Sequence, residues 1–234
     1  MTGRPNIIDY LKISPESATI KDIYIQPEEF INNYKKANIL GKDSVLRFYI
    51  INNGAYIFRE KPFVGEILAQ YLADKLAINA VEVKIIGSAK TGFSMGIDHF
   101  GSAFGKKSDL DLSIINQEYF QKLADEFYLW SELFNRKKIF PKSEIEKRYW
   151  ADNDLNCPKN IKTGFIDTYK IPNREEFPIA RDINNSLYLI KVNLYKIEHI
   201  QVSNVSVRVY KSWKSFINQL KVNTDYVLSK VTRK

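Results

Sequence analysis

The sequence predicts an α+β fold in which a sheet of short strands shares one hydrophobic core with several helices. Apolar residues alternate with a two-residue period in some segments and recur at helical spacing in others, and the two kinds of segment follow one another in mixed order. The same mixed order of strands and helices also fits an α/β fold, which is the alternative prediction. With 234 residues, the chain can form one good core, or one domain with a small appendage.

The first half of the chain predicts a hairpin, a helix and two buried strands. Residues 45–58 contain two β-prone runs on either side of Asn52-Asn53-Gly54, which is a strong signal for a hairpin turn. Pro62 stands where a helix can begin, because apolar residues then recur at helical spacing. Strands are predicted at residues 81–86 and 109–115.

The second half predicts further helices and strands around a polar middle section. Asn116 is expected to cap a helix with one apolar side. Residues 136–148 are basic and polar, and residues 153–162 around Cys157-Pro158 have the composition of a loop. The other predicted elements are a strand at 163–171, a segment at 182–198 that favours helix over strand, a strand at 205–210 and an amphipathic helix at 211–230.

Composition and charge limit the classes of protein. Hydrophobic residues make up 44% of the chain and aromatic residues 13%, which favours a folded globular protein over a disordered one. The 35 Lys and Arg residues against 27 Asp and Glu give a formal net charge of +8. This charge favours a polyanionic partner such as nucleic acid. The alternative is a basic protein that has the same net charge without such a partner.

Cysteine and histidine are too scarce for several kinds of chemistry. Cys157 is the only cysteine, which excludes a zinc site built from several thiolates. His99 and His199 are the only histidines, so the chain has few residues that could serve in Ser-His catalysis. The N-terminus lacks a signal-peptide pattern, and no apolar run approaches the ~20 residues of a membrane span. We therefore expect a cytoplasmic protein that does not bind membranes.

Two aspartates carry the strongest chemical signal. Asp109 and Asp111 are two residues apart on a predicted strand, so their carboxylates lie on one face while Leu110 and Leu112 point into the core. Such carboxylates repel each other unless a cation lies between them, and oxygen ligands of this kind suit Mg²⁺ together with substrate phosphates. Two such ions ~4 Å apart can activate a hydroxyl and stabilise a leaving pyrophosphate. The alternative is an ordinary solvent-facing strand.

The turn after the preceding strand is suited to phosphate. Gly87 follows residues 81–86 directly, and a glycine there lets backbone N–H groups approach phosphate oxygens. The Ser88 hydroxyl adds a donor, and Lys90 can neutralise a phosphate charge. A plain tight turn is the alternative, because Gly-Ser alone is a weak signal.

Gly87-Ser88, followed after a loop by Ser108-Asp109-Leu110-Asp111, resembles the signature of the DNA polymerase β-type nucleotidyltransferase superfamily. This superfamily includes tRNA-tailing enzymes, second-messenger synthases, antibiotic-modifying adenylyltransferases and the small nucleotidyltransferases of toxin–antitoxin and phage-defence systems. The resemblance implies a mixed sheet flanked by helices. It places a nucleotidyltransferase domain at residues 61–234, after an N-terminal extension at residues 1–60 that carries the hairpin.

One departure from the usual motif is the long gap between Ser88 and Asp109. Residues 93–107 within it contain three glycines. This insertion is either a flexible flap over the substrate or an inert surface loop.

The resemblance also implies roles for individual residues. Four of them would hold the nucleoside triphosphate: Gly87, Ser88, Lys90 and Ser108. Asp109 and Asp111 would coordinate Mg²⁺ or Mn²⁺ and take part in catalysis, together with a third carboxylate on a later strand. Asp167, in a β-prone segment, is the first candidate for that third ligand, and Glu198 is the second.

The expected reaction is transfer of a nucleoside monophosphate to an acceptor hydroxyl with release of pyrophosphate. The basic charge favours a nucleic-acid acceptor such as tRNA. Two alternative reactions are synthesis of a signalling oligonucleotide and modification of a small molecule such as an antibiotic. A further alternative is a degenerate, non-catalytic protein that acts as an antitoxin or as the partner of a protein from a neighbouring gene.

Overall fold

The computed structural model describes residues 23–231 as an α+β protein. Within that range a small mixed sheet of four strands is flanked by helices: β1 (Val83–Ile86), β2 (Leu110–Ile115), β3 (Phe165–Asp167) and β4 (Val205–Tyr210). The strand order is β1-β2-β4-β3, with β2 and β4 parallel and β3 and β4 antiparallel. The last strand in sequence therefore lies between two earlier ones.

The helices are α1 (Pro27–Lys36), α2 (Ile39–Leu46), α3 (Pro62–Leu76), α4 (Ser88–Thr91), α5 (Gln117–Asn135), α6 (Glu144–Thr163), α7 (Pro178–Lys196) and α8 (Trp213–Val231). A π-helical turn over Arg47–Asn52 continues α2, and short 3₁₀ turns cover Tyr56–Phe58, Ala80–Glu82, Ile97–His99 and Thr168–Lys170. In the part of the chain that the structure describes, no helix is both long and apolar enough to cross a membrane.

The chain divides into two compact units that interleave in sequence. Within the described residues, the first unit comprises 23–65, Ile85–Ser108 and 217–231, and the second comprises Glu66–Lys84 and Asp109–Phe216. The division into residues 1–60 and 61–234 stays a prediction.

The first unit has an aromatic core. The Phe30 ring of α1 is fully buried, and its centroid lies 6.1 Å from those of Tyr34, Tyr49 and Phe93. The Tyr34 hydroxyl donates a hydrogen bond to Asp225 of α8 at 3.1 Å. Because Asp225 also forms a 3.2 Å salt bridge with Lys42, the C-terminal helix is tied to both α1 and α2.

The predicted hairpin at residues 45–58 is wrong, because this segment is helical. Asn38 caps α2 by accepting a hydrogen bond from the Gly41 N–H at 2.7 Å. Apolar residues of the run that follows, including Val45, Tyr49 and Ile50, are buried. A short run of β-prone residues can fill a core as a helix or as a strand, and here the helical cap and the packing decide for the helix.

The second unit contains most of the sheet together with α5, α6 and α7. Asn116 caps α5 as predicted, with its side chain accepting a hydrogen bond from the Tyr119 N–H at 2.7 Å. The α7 helix and strand β4 also follow the sequence-based expectation. Between α5 and α6, the Trp130 and Trp150 rings meet edge to face with centroids 5.7 Å apart.

The loop predicted at residues 153–162 is wrong, because α6 continues through it with Pro158 inside the helix. Trp150, Asn153 and Cys157 recur at helical spacing and are buried, so tertiary packing outweighs the loop-like composition. The helix ends at Gly164, whose φ of 96° and ψ of 32° form a left-handed cap. The predicted strand at 163–171 shortens to β3, which passes directly into a 3₁₀ turn.

Candidate functional site

One face of the sheet in the second unit carries a cluster of polar side chains. In the β2–β4 register Asp111 is matched with Ser206, and Ser113 is matched with Arg208. In the β3–β4 register Arg208 is matched with Asp167. Matched residues on neighbouring strands share a face, so all five side chains lie on the same side of the sheet. We call these five residues the polar sheet cluster.

Ser206 holds the Asp111 carboxylate in position. The Ser206 hydroxyl donates a hydrogen bond to Asp111 Oδ1 at 2.7 Å. Burial raises the pKa of the Asp111 carboxyl, and the charges of Asp109 and Asp167 raise it further, whereas the Ser206 hydrogen bond and Arg208 lower it. The raised pKa means that the charged form of Asp111 is less favourable here than in water, mainly because the carboxyl is buried.

Asp109 precedes β2 and has a different environment. Its side chain is exposed, and it makes no hydrogen bond or salt bridge with the residues that the structure describes. Its charge is nevertheless close enough to raise the pKa of Asp111. Asp109 is therefore an exposed carboxylate near the fixed carboxylate of Asp111, but it lies just before β2, because the strand begins at Leu110 rather than at the predicted residue 109.

Asp167 forms a two-pronged ion pair with Arg208. Arg208 Nε donates to Asp167 Oδ1 at 2.7 Å, and Arg208 Nη2 donates to Asp167 Oδ2 at 3.0 Å. Burial alone lowers the pKa of the guanidinium, but the hydrogen bonds and charge of Asp167 outweigh burial and raise it overall. The Arg208 guanidinium also lies over the Phe165 ring, 4.6 Å from its centroid. Both Asp167 oxygens thus already have a positively charged donor.

Ser113 completes the cluster at its buried end. Its side chain is fully buried, and its hydroxyl has no hydrogen-bond partner among residues 23–231. Unsatisfied buried polar groups are uncommon in folded proteins, and a bound water or ion is one of the ways in which such a group obtains a partner. The hydroxyl lies on the cluster face, two residues from Asp111 and beside Arg208 in the register.

A divalent cation fits part of the predicted ligand set. Asp109 and Asp111 provide two neighbouring carboxylates, and Mg²⁺ is commonly held by one or two carboxylates together with substrate phosphates. Asp167, the predicted third ligand, already receives a hydrogen bond from Arg208 on each oxygen, so a metal ion there would lie beside a positive charge. Over the described range, no group of three or more His, Cys, Asp or Glu side chains is placed to hold a metal ion.

The predicted nucleotide-binding residues belong to the first unit. Gly87 has φ 66° and ψ −155°, a conformation that is essentially restricted to glycine, and its carbonyl accepts from the Lys90 and Thr91 N–H groups at the start of α4. Ser88 is half-buried. Ser108 closes a local turn by accepting a hydrogen bond from the Gly105 N–H at 3.1 Å.

Lys90 is placed inside the first unit rather than on its surface. It is 5% exposed, and its ammonium group donates to the backbone carbonyls of Ile51 and Asn53. These contacts tie α4 to the π-helical turn over Arg47–Asn52. A structural role therefore accounts for Lys90 without a phosphate.

Sequence reasoning missed Ser206 and Arg208, although a signal was present. In Val205-Ser206-Val207-Arg208 the polar residues alternate with buried valines, which places both on one face of a strand. The strand order that brings them between Asp111 and Asp167 is not visible in that alternation. Glu198, the second candidate for the third carboxylate, follows α7 outside the strands.

Comparisons of this chain with protein-family models, with curated proteins and with solved structures found no match. The residues and their geometry are therefore the basis for the functional proposal that follows.

Proposed function

We propose that this protein is a metal-dependent nucleotidyltransferase of the DNA polymerase β type, which transfers a nucleoside monophosphate from an NTP or dNTP to an acceptor hydroxyl. The observation that carries the proposal is the Asp111 carboxylate on β2, which Ser206 fixes, together with the nearby charge of Asp109 just before the strand. A bound cation relieves the repulsion between two neighbouring carboxylates. Such a pair therefore determines metal binding in a site of this type.

The aspartates and the glycine-serine turn would have different roles in this reaction. Asp109 and Asp111 would hold Mg²⁺ or Mn²⁺, which when bound would neutralise charge on the triphosphate and lower the pKa of the acceptor hydroxyl. Gly87 and Ser88 would donate hydrogen bonds to the triphosphate, an assignment that comes from the sequence resemblance. In-line attack of the acceptor oxygen on the α-phosphorus forms the new P–O bond and breaks the bond to pyrophosphate, and the acceptor proton passes to solvent or a carboxylate.

A nucleic-acid acceptor is favoured by charge and by an exposed aromatic ring. The chain has a formal net charge of +8, and the basic side chains between Arg136 and Arg148 are exposed. Tyr169 follows Asp167 and is 60% exposed, and its pKa is raised by burial and then by the Asp167 charge. An exposed ring beside the cluster can stack on a base, and basic side chains can follow a phosphate backbone.

The Arg208–Asp167 pair favours a second candidate, a non-catalytic nucleotidyltransferase-like protein that acts as a partner or antitoxin. An arginine that neutralises the expected third carboxylate is a change that would remove catalysis while preserving the fold. In this case Asp109 and Asp111 would bind a cation or nucleotide without turnover.

Labelling experiments separate the two candidates. The protein is incubated with each α-labelled NTP or dNTP, with Mg²⁺ or Mn²⁺, and with total tRNA, single-stranded DNA, a mixture of aminoglycoside antibiotics or no added acceptor. A transferase gives a labelled product, and the acceptor class follows from the reaction that produces it. A label in the reaction without acceptor indicates a signalling oligonucleotide or self-modification, which gel and thin-layer analysis distinguish.

The controls use matched aspartates of the same unit. Asp109→Asn and Asp111→Asn should each reduce labelling by at least about 100-fold, because each removes a ligand that neutralises transition-state charge. Asp125→Asn, on the exposed face of α5, should leave labelling unchanged. Equal labelling by all three variants would contradict the transferase, and absence of product with retained nucleotide binding would favour the non-catalytic protein.

A further inference from the structure

The polar sheet cluster contains an arginine, Arg208, beside Asp167. In a two-metal site, the second metal ion would be expected next to this carboxylate. Three carboxylates, Asp109, Asp111 and Asp167, contribute to the local field, and Arg208 is the cation paired with one of them. On strand β4, Arg208 is matched with Ser113 on one neighbouring strand and with Asp167 on the other, and Asp111 lies two residues before Ser113 on the same face.

We infer that the Arg208 guanidinium takes the place of the second metal ion, so that this site binds one divalent cation, through Asp109 and Asp111. This inference rests on the proposed function. Asp167 then serves as a positioning residue, because it fixes the guanidinium through two hydrogen bonds and does not bind the metal.

Geometry supports this assignment. The Asp167 side chain is 10% exposed and that of Arg208 is 30% exposed, so the pair is largely shielded from water, and its two hydrogen bonds of 2.7 and 3.0 Å use both oxygens. A second ion on Asp167 would share a carboxylate whose charge the guanidinium already neutralises, and it would lie beside that positive charge. Removing one member of such a shielded pair is strongly unfavourable.

Charge balance agrees with one ion. Three carboxylates against one guanidinium leave two negative charges, which a single divalent cation neutralises. With two divalent ions the same groups would carry a net positive charge before any substrate entered.

Ser113 provides an independent observation that a ligand is expected here. Its fully buried hydroxyl has no hydrogen-bond partner within the described residues and lies on the cluster face beside Arg208. A cation-bound water held between Asp111 and Arg208 would give this hydroxyl a partner.

The test counts bound Mn²⁺ on the intact protein by titration, with free Mn²⁺ measured by electron paramagnetic resonance. The wild-type protein should bind one ion per chain. Arg208→Met removes the guanidinium while keeping an apolar chain over Phe165, and it should bind two ions because Asp167 becomes a ligand. The double variant Arg208→Met, Asp167→Asn should return to one ion, and Asp109→Asn, Asp111→Asn should bind none.

Two bound ions in the wild-type protein would overturn the inference while leaving the proposed transferase intact, whether or not the Arg208 variant folds. One ion in a folded Arg208→Met variant would also overturn it, since the arginine would then not be what excludes the second ion. Circular dichroism establishes that each variant is folded. No bound Mn²⁺ in any protein would contradict the proposed metal site itself, and the inference with it.

Discussion

The Glu126 carboxylate of α5 caps the N-terminus of α7 from a distance of more than fifty residues in sequence, with Oε2 2.7 Å from the Ala180 N–H and Oε1 2.9 Å from the Ile179 N–H. Helix α7 begins at Pro178 without a side-chain cap of its own. A carboxylate from another helix therefore satisfies N–H groups that the first turn leaves unpaired, and its charge is favourable at that end of the helix. This contact fixes α7 beside α5.

Replacing Glu126 should destabilise the protein. Glu126→Ala leaves two N–H groups without a partner, one of them on fully buried Ala180, and should lower the free energy of unfolding by about 2–4 kcal/mol. Urea unfolding followed by circular dichroism measures the change. Glu132→Ala on the same helix removes an exposed pair with Arg136 and should change stability by less than about 1 kcal/mol. Equal effects would contradict the capping role.

Glu126 should also make the free energy of unfolding depend on pH, and the direction of that dependence follows from its pKa. Burial raises the pKa of its carboxyl in the folded protein, although the Ala180 and Ile179 hydrogen bonds oppose this. The folded state therefore keeps the proton to higher pH than the unfolded chain does. The contribution of this group to stability falls as the pH rises from about 4.3, the ordinary glutamate pKa, through the raised folded value, and is constant above it.

Unfolding free energies measured from pH 4 to 8 for wild type and Glu126→Gln isolate this effect. The difference between the two proteins should change across that window in the stated direction. A difference that is independent of pH would mean that the carboxyl does not titrate differently on folding.

Asp111→Asn should stabilise the protein in the absence of metal. Burial and the neighbouring carboxylates disfavour the charged form of Asp111, whereas an asparagine oxygen can still accept the Ser206 hydrogen bond. The expected change is a rise of a few degrees in melting temperature, measured by calorimetry in EDTA. Asp125→Asn should leave the melting temperature unchanged. A lower melting temperature for Asp111→Asn would argue that its charge serves the fold rather than ligand binding.

Lys90→Met tests whether Lys90 serves the fold or the nucleotide. Its ammonium group is buried and holds the carbonyls of Ile51 and Asn53, so its loss should reduce stability by roughly 2–3 kcal/mol. Exposed Lys107→Met is the matched control. If Lys90→Met kept full stability but weakened NTP binding measured by calorimetry, the phosphate role predicted from sequence would be favoured instead.

Gly87→Ala should be destabilising because of backbone conformation. A side chain at φ 66°, ψ −155° is strained by roughly 1–3 kcal/mol, so the unfolding midpoint in urea should fall. Gly105→Ala is the control, since a Cβ there meets nothing within 4 Å and the backbone is not in the positive-φ region. Equal midpoints for the two variants would mean that the turn relaxes without strain.

Local sequence determines much of this protein. Valines alternating with polar residues specify β4, because each strand residue alternates between the two faces of the sheet. The same alternation places Asp111 and Ser113 on one face of β2. Asn116 specifies the start of α5 because the capping hydrogen bond is formed within three residues.

Only the tertiary structure decided what local patterns left ambiguous. Residues 45–58 could pair as strands or pack as a helix, and burial against α1 selected the helix. The pairing of Asp167 with Arg208 required the order β2-β4-β3, which places a strand from late in the sequence between two earlier ones. Local alternation determined that Asp111 lies on a strand face, whereas contacts between residues 41 positions apart decided that Asp167 is neutralised by an arginine. Alternation and capping act over a few residues, while strand order depends on how the whole core packs.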